Sequence, residues 1–176
     1  VNALSTGDGA TAWTFVADGR IDSPPTLHDG LCLFGTRNGF VYCLRTSDGA
    51  LVWRFRAAPQ DRRLFSYEQL ESVWPVHGSV LVDEALSDGV ATAYFSAGRS
   101  SGIDGGIRLY ALEAKTGKVL HKADITTRGE EQGEATIQQK ALPDILSIQK
   151  EAIWMRGLGV DKNLATVENV PHLFAP

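Results

Sequence analysis

The chain has 176 residues, of which 43% are hydrophobic and 22% charged, and its formal net charge is −4. This length suggests one domain, and the acidic balance argues against a nucleic-acid partner. No apolar run approaches the roughly 20 residues needed to cross a bilayer, so we expect no membrane span. Glycine is abundant, with 18 residues beside fifteen aromatic ones, which predicts short strands joined by many turns rather than disorder.

One eleven-residue phrase occurs three times along the chain. Its copies begin at Ala3, Cys43 and Ala111, so they lie 40 and 68 residues apart. A period near 40 is typical of units built from about four short strands. The longer second spacing predicts an insertion between the second and third copies.

The pattern within each unit also predicts strands. Asn38-Gly39 separates the β-rich runs 31–35 and 40–44, and Asn-Gly is a strong hairpin signal because both residues tolerate positive φ. Residues 51–56 then alternate apolar and polar side chains, as a half-buried strand does. Four strands joined by tight turns make one antiparallel blade of a β-propeller. We therefore predict an all-β fold of four-stranded antiparallel blades.

We divide the chain, residues 1–176, into the units of one partial propeller, about three blades in all. The first unit covers about 1–57, the second covers 58–125 with an insertion at 60–74, and the third, incomplete, covers 126–176. His77 is expected to begin an inner strand of the second unit.

Two segments lie outside the repeat. Ser66 and Gln69 have the spacing of a capping box, which predicts a short helix between residues 60 and 72. Residues 126–140 are polar and contain glycine, which is typical of a long loop. Whether the tail after Asp161 is ordered stays open.

The recurring phrase resembles the tryptophan-docking motif of quinoprotein alcohol dehydrogenase-like, PQQ-repeat β-propellers, whose usual form is Ala-x-Asp-x-x-Thr-Gly-Lys-x-x-Trp. The third copy ends in His121 where that motif has Trp. The insertion also resembles a branch of large bacterial surface or periplasmic propeller proteins, which implies a periplasmic or extracellular location. The resemblance implies that a structural role in docking neighbouring blades falls to Trp13, Trp53, Gly9, Gly49 and Gly117.

Closed propellers have about 4 to 8 blades, whereas this chain contains about two complete units and a partial one at either end. Either the sequence belongs to a longer protein or several chains complete a ring together. Open blade edges expose apolar surface and unpaired strands, so we expect a homo-oligomer.

A quinone cofactor is the first chemical hypothesis to weigh. Dehydrogenases of the resembled family hold pyrroloquinoline quinone (PQQ) and calcium on the propeller axis, often beside a vicinal disulfide. Cys32 and Cys43 are eleven residues apart, so that disulfide is absent, and no stretch shows the calcium ligands. PQQ is therefore not expected. A two-residue turn would place the two thiols diagonally on one face, about 7–8 Å apart at Cα, and a three-residue loop would place them on opposite faces. Buried free thiols are expected either way.

A metal-assisted hydrolase is a second hypothesis. On a short helix Glu68 and Glu71 would share one face near His77, and such a set suits a divalent metal that activates water. Arg62 and Arg63 could neutralise an anionic ester such as a phosphate ester. The alternative is a hydrogen-bonded histidine beside two solvated glutamates.

The leading functional hypothesis is a non-enzymatic binding or scaffold module. It would recognise a partner or ligand, unknown from sequence, through the blade-top loops at 60–74 and 126–140, because long loops on rigid scaffolds commonly carry binding residues. The metal-assisted hydrolase and a fragment of a quinone-dependent dehydrogenase are the alternatives.

Overall fold

The computed structural model describes residues 1–66, 68–126 and 142–167, and every regular element within them is a β-strand. No helix in that part of the chain is long and apolar enough to traverse a bilayer. The prediction of an all-β fold is confirmed. The strands are β1 (Asn2–Leu4), β2 (Thr11–Thr14), β3 (Thr26–His28), β4 (Leu31–Gly35), β5 (Phe40–Arg45), β6 (Leu51–Arg56), β7 (Arg63–Ser66), β8 (Gln69–Ser72), β9 (Leu81–Asp83), β10 (Thr92–Ala97), β11 (Ile107–Glu113), β12 (Val119–Ile125), β13 (Ser147–Gln149), β14 (Ala152–Met155) and β15 (Leu158–Val160).

These strands form four blades and one inserted hairpin. Blade 2 (β3–β6) and blade 3 (β9–β12) are complete four-stranded antiparallel sheets, each ordered as in the sequence. Blade 1 (β1–β2) has two described strands and blade 4 (β13–β15) has three. β7 and β8 pair only with each other, and we call them the insertion hairpin. The unit predicted at 1–57 thus contains both blade 1 and blade 2.

The Asn38-Gly39 turn joins β4 to β5, as predicted. Thr36 N–H donates to the Phe40 carbonyl at 2.9 Å, which leaves a three-residue loop, Arg37–Gly39, between the strands. The three-residue alternative is therefore the one that occurs. Cys32 and Cys43 consequently face opposite sides of blade 2, and both are buried free thiols.

The core lies between stacked blades. One face of blade 2 packs against blade 3, where Leu33 and Val41 are fully buried. The opposite face packs against the segment that follows blade 1. Each of these two layers contains three aromatic rings. Two of the rings stack on neighbouring strands of one blade, and a third ring, from the part of the chain before that blade, packs edge-on against them. The three are Phe34, Tyr42 and Phe15 in the first layer and Phe95, Tyr110 and Phe55 in the second.

The short helix predicted around Ser66 and Gln69 is wrong. The two residues close the insertion hairpin, in which β7 and β8 pair from Arg63 opposite Ser72 to Ser66 opposite Gln69. Glu68 in the turn has φ 61, a left-handed conformation that a right-handed helix excludes.

His77 does not begin a strand, contrary to prediction, because β9 starts only at Leu81. The preceding backbone bonds to neighbouring loops instead of a sheet: Val76 N–H donates to the Thr36 carbonyl, and Gly98 N–H donates to the Pro75 carbonyl, both at 3.0 Å. These bonds place His77 in the link between blades 2 and 3.

Candidate functional site

The repeated phrase places an indole against the next blade at the first junction. Trp13 Nε1 donates to the Thr46 carbonyl at 2.8 Å. The ring covers the backbone of Gly49, where an added Cβ would lie 2.6 Å from Trp13 Cε3. Gly49 also has φ 72, so both its backbone conformation and its neighbour disfavour any side chain there.

The second junction repeats this arrangement. Trp53 Nε1 donates to the Ala114 carbonyl at 2.8 Å, and a Cβ on Gly117 would lie 2.8 Å from Trp53 Cδ2. Gly9 has the same φ of 72, but a Cβ there would meet no described atom within 4 Å. The structure thus gives two of the three glycines an indole neighbour.

The insertion hairpin is anchored to blade 2 by a buried ion pair. Arg37 Nη1 donates to both carboxylate oxygens of Glu71, at 2.7 and 2.8 Å. The Glu71 side chain is only 4% exposed and that of Arg37 only 15%. Ser72 N–H also donates to the Arg37 carbonyl at 3.0 Å. Charge-assisted bonds to a buried carboxylate hold the base of the hairpin against the rigid sheet.

The same hairpin presents an apolar pair to solvent. Phe65 on β7 lies directly opposite Leu70 on β8, so the two side chains share one face. Phe65 is 75% exposed and Leu70 57%. An exposed aromatic beside an exposed aliphatic side chain on an anchored element is typical of a contact surface.

A charged cluster surrounds His77. Its Nδ1 lies 3.7 Å from Asp22 Oδ2, and Asp22 also accepts hydrogen bonds from Arg20 and Arg37. Burial works to raise the pKa of Asp22, but the bonds from Arg20 and Arg37 outweigh it and hold that pKa below its usual value. Burial and the charge of Arg37 lower the pKa of His77, which leaves the imidazole neutral at pH 7.

The residues of the metal hypothesis are divided by the structure. Glu71 is linked to the His77 cluster only by way of Arg37, whose guanidinium donates hydrogen bonds to both carboxylate oxygens of Glu71. Glu68 is exposed in the turn of the hairpin. Across residues 1–66, 68–126 and 142–167, no three or more His, Cys, Asp or Glu side chains are grouped so that they could hold a metal ion. The premise that a helix aligns the two glutamates does not hold.

The two arginines proposed to bind an anion each contact a separate carboxylate. Arg62 Nη2 lies 3.3 Å from Asp104 Oδ1, and Arg63 Nε lies 3.1 Å from Asp61 Oδ1. Both arginine side chains are about half exposed. The predicted loop at 126–140 lies outside the described residues, apart from Thr126.

Three features escaped the sequence reasoning. The hairpin and its Phe65–Leu70 pair had no clear signal, because neither residues 63–66 nor residues 69–72 alternate apolar and polar side chains. Arg37 and Asp22 gave no signal either, because a turn residue and a loop residue acquire their partners only through the stacking of separate segments.

Comparisons with known proteins agree with this geometry. Residues 1–65 match the model of a family described as outer membrane protein assembly factor BamB. The assembly factor of that name from Yersinia pestis is 43% identical over 53 residues, which is 30% of this chain and 14% of that protein. The matched region is therefore a small part of the relative.

Two solved structures share the fold. BamB from Moraxella catarrhalis has a TM-score of 0.56 at 17% identity, covering 96% of this chain and 46% of that one. The quinohemoprotein alcohol dehydrogenase ADHIIG from Pseudomonas putida HK5 has a TM-score of 0.56 at 15% identity, covering 86% and 24%. The chain spans less than half the length of either protein. Its repeats, its blades and these likenesses show that the chain has the β-propeller fold of these proteins, and its first 65 residues match the BamB family model.

Proposed function

We propose that this chain is a non-enzymatic binding module of the bacterial cell envelope, which serves as a scaffold in outer membrane protein assembly. The observation that carries the proposal is the exposed Phe65–Leu70 pair on the anchored insertion hairpin. An aromatic side chain on an anchored element can enter a partner pocket at reduced entropic cost, because the buried Arg37–Glu71 pair already holds the hairpin against blade 2.

The blades supply the rigidity that such a role requires. Burial of Arg37 and Glu71 fixes the base of the hairpin, and Trp13 and Trp53 join successive blades through hydrogen bonds to backbone carbonyls. We assign a structural docking role to these indoles and to Gly49 and Gly117 beneath them. Gly9 belongs to an equivalent turn on the open side of blade 1.

The names of the relatives support the cellular setting. Both the family model and the Yersinia pestis relative are described as outer membrane protein assembly factors. A periplasmic location, expected from the sequence resemblance, agrees with that description. The partner class that follows is a protein component of the outer membrane assembly machinery.

The test measures binding of the purified chain to a purified bacterial outer membrane protein assembly complex by biolayer interferometry. Replacing Phe65 and Leu70 together by serine should weaken binding at least about tenfold, because the apolar contact is lost while the ion pair at the base remains. Val52→Ser is the matched control, since Val52 is 45% exposed on β6, away from the hairpin. Failure of the unaltered chain to bind, or equal binding by both variants, would contradict the proposal.

Self-association through open blade edges is the second element of the proposal. In blade 1 the Leu4 residue is 60% exposed, and Val16, which follows the blade in the chain, is 85% exposed. The Gly9 turn, next to Leu4, matches the turns that accept an indole at the two junctions. Light scattering behind a sizing column should therefore give a mass above the monomer value of 19.0 kDa at micromolar concentration. A monomer at all concentrations would count against this element alone.

A further inference from the structure

The junction between blades 3 and 4 differs from the two before it in the residue on its outer strand. Cys43 pairs with Trp53 across β5 and β6, and Ala111 pairs with His121 across β11 and β12. His121 therefore occupies the register position of Trp53, one blade further on. Its side chain is exposed on β12, whereas Trp53 is partly buried against blade 3.

Blade 4 nevertheless provides a turn like those that receive the two indoles. In blade 2, Arg45 N–H closes the turn on the Ala50 carbonyl, and the next residue supplies the carbonyl that Trp13 contacts. In blade 4, Asp161 N–H closes a turn one residue shorter on the Ala165 carbonyl. By this correspondence Lys162 supplies the carbonyl equivalent to those of Thr46 and Ala114.

The turn in blade 4 also has a residue with left-handed backbone conformation, as the turns at Gly49 and Gly117 do. Leu164 has φ 67, close to the φ of 72 found at Gly49 and Gly117. Its side chain is 5% exposed and packs in the core between blades 3 and 4. A leucine in this conformation is uncommon, and burial of its side chain offsets the backbone cost. The turn therefore keeps the backbone conformation of the two indole acceptors, but its leucine Cβ excludes a ring from the place that Trp13 and Trp53 take over Gly49 and Gly117.

A cleft of about 310 Å³ lies between the outer strand and this turn. Its volume falls at the lower end of the roughly 300–1,000 Å³ typical of ligand sites. The lining combines apolar surface from β10 and β12 with polar groups from the turns: Val90, Thr92, Tyr94, Leu120, His121 and Lys162 among others. A salt bridge of 2.6 Å joins Lys162 to Asp88, another residue of the lining.

The Lys162 carbonyl has one described side-chain donor, and the contact is long. Tyr94 Oη donates to it at 3.4 Å, against 2.8 Å for each indole at the other junctions. Tyr94 Oη also contacts Ser87 Oγ at 2.8 Å, so the hydroxyl keeps a partner if the longer contact is replaced. A ligand N–H can therefore bond to this carbonyl without leaving the buried phenol unsatisfied.

We propose that the cleft between blades 3 and 4 binds the indole ring of a tryptophan side chain presented by a partner polypeptide. The ring would lie in the cleft beside His121 rather than over the turn, with its N–H directed at the Lys162 carbonyl, and this bond is what it would share with the chain's own indoles at the two preceding junctions. A polypeptide source follows from those junctions, where the indole arrives on a neighbouring strand. This site is separate from the insertion hairpin, and either could exist without the other.

The test titrates a blocked tripeptide, acetyl-Gly-(5-fluoro-Trp)-Gly-amide, into the full chain and follows its ¹⁹F signal by NMR. His121→Trp should weaken binding at least about tenfold, because the chain's own indole then occupies the cleft. Lys122→Trp is the matched control, since Lys122 is exposed on the same strand and points to the opposite face. A tripeptide carrying 4-fluorophenylalanine lacks the N–H and should bind more weakly.

A second measurement needs no variant. The tryptophan tripeptide should shift the ring-proton signals of His121 in the unaltered chain and leave those of His28 in place. No binding at millimolar peptide, or equal binding to the His121→Trp and Lys122→Trp variants, would overturn the proposal. Binding of free 5-fluoroindole without binding of the tripeptide would also overturn it, because the site would then exclude a polypeptide. The hairpin variants of the proposed function should bind the tripeptide normally, so the two proposals can fail separately.

Discussion

Trp53 lies over the backbone of Gly117 in the following blade, close enough that a Cβ at Gly117 would stand 2.8 Å from the ring. The same indole donates to the Ala114 carbonyl at 2.8 Å. One side chain thus covers a turn and satisfies a backbone acceptor in the next sheet. The stacking of blades in this chain rests on such pairs as well as on apolar burial.

Gly117→Ala should destabilise the fold more than Gly9→Ala. Both glycines have φ 72, so alanine pays about 1–2 kcal/mol for the left-handed backbone at either position. Overlap with the Trp53 ring should add about 1–3 kcal/mol at position 117 alone. Urea unfolding followed by tryptophan fluorescence measures both variants. Equal destabilisation would show that the indole does not constrain Gly117.

Removing Arg37 should cost more stability than removing Glu71. Arg37 contacts both Glu71 and Asp22, so Arg37→Met leaves the buried Glu71 carboxylate without its cation and Asp22 with Arg20 alone, and it should destabilise by about 3 kcal/mol. Glu71→Met leaves Arg37 paired with Asp22, and its cost should be less than half as large. Hydrogen exchange of the β7 and β8 amides would show whether the hairpin detaches.

The control for that comparison is an exposed ion pair. Arg45 and Asp48 are 57% and 50% exposed, so Arg45→Met should change the free energy of unfolding far less than Arg37→Met does. A loss as large as that of Arg37→Met would show that burial is not what makes the Arg37 pair important.

Acidification should destabilise the fold through His77. Its pKa is lowered in the folded state, first by burial and then by Arg37, from an ordinary value of 6.5. The unfolded chain therefore protonates His77 at a higher pH than the folded chain does. The free energy of unfolding falls as the pH drops below about 6.5 towards the pKa of His77 in the folded state. Unfolding midpoints of the unaltered chain and of His77→Gln, compared between pH 7.5 and 5, isolate this contribution. A difference between them that does not change with pH would contradict it.

The two thiols should be unreactive in the folded protein. Burial raises the pKa of Cys43 to about 12 and also raises that of Cys32. Because the thiolate is the reactive form, an aromatic disulfide reagent at pH 8 should label neither residue until the chain unfolds. Both should react at once in denaturant. Rapid labelling of one thiol in the native state would show that it is accessible.

Much of the architecture follows from short-range patterns. The 40-residue period, the Asn38-Gly39 turn and the alternation in residues 51–56 suffice to predict antiparallel blades, because turn conformation and side-chain alternation depend on neighbours along the chain. The recurring phrase also singles out Trp13 and Trp53. Its third copy identifies His121 as the position where the pattern changes.

The site depended on contacts that no local pattern contains. A capping-box spacing predicted a helix at Ser66, but the segment is a hairpin, and its Glu71 pairs with Arg37, 34 residues earlier in the chain. His77 lies outside any strand because the backbone beside it is hydrogen-bonded to neighbouring loops rather than to a sheet. The cleft beside His121 required a turn from blade 4 whose sequence does not repeat the phrase. The sequence by itself determined the blades and their turns, whereas the stacking of blades decided which charged and aromatic groups meet, since those groups come from segments far apart in the chain.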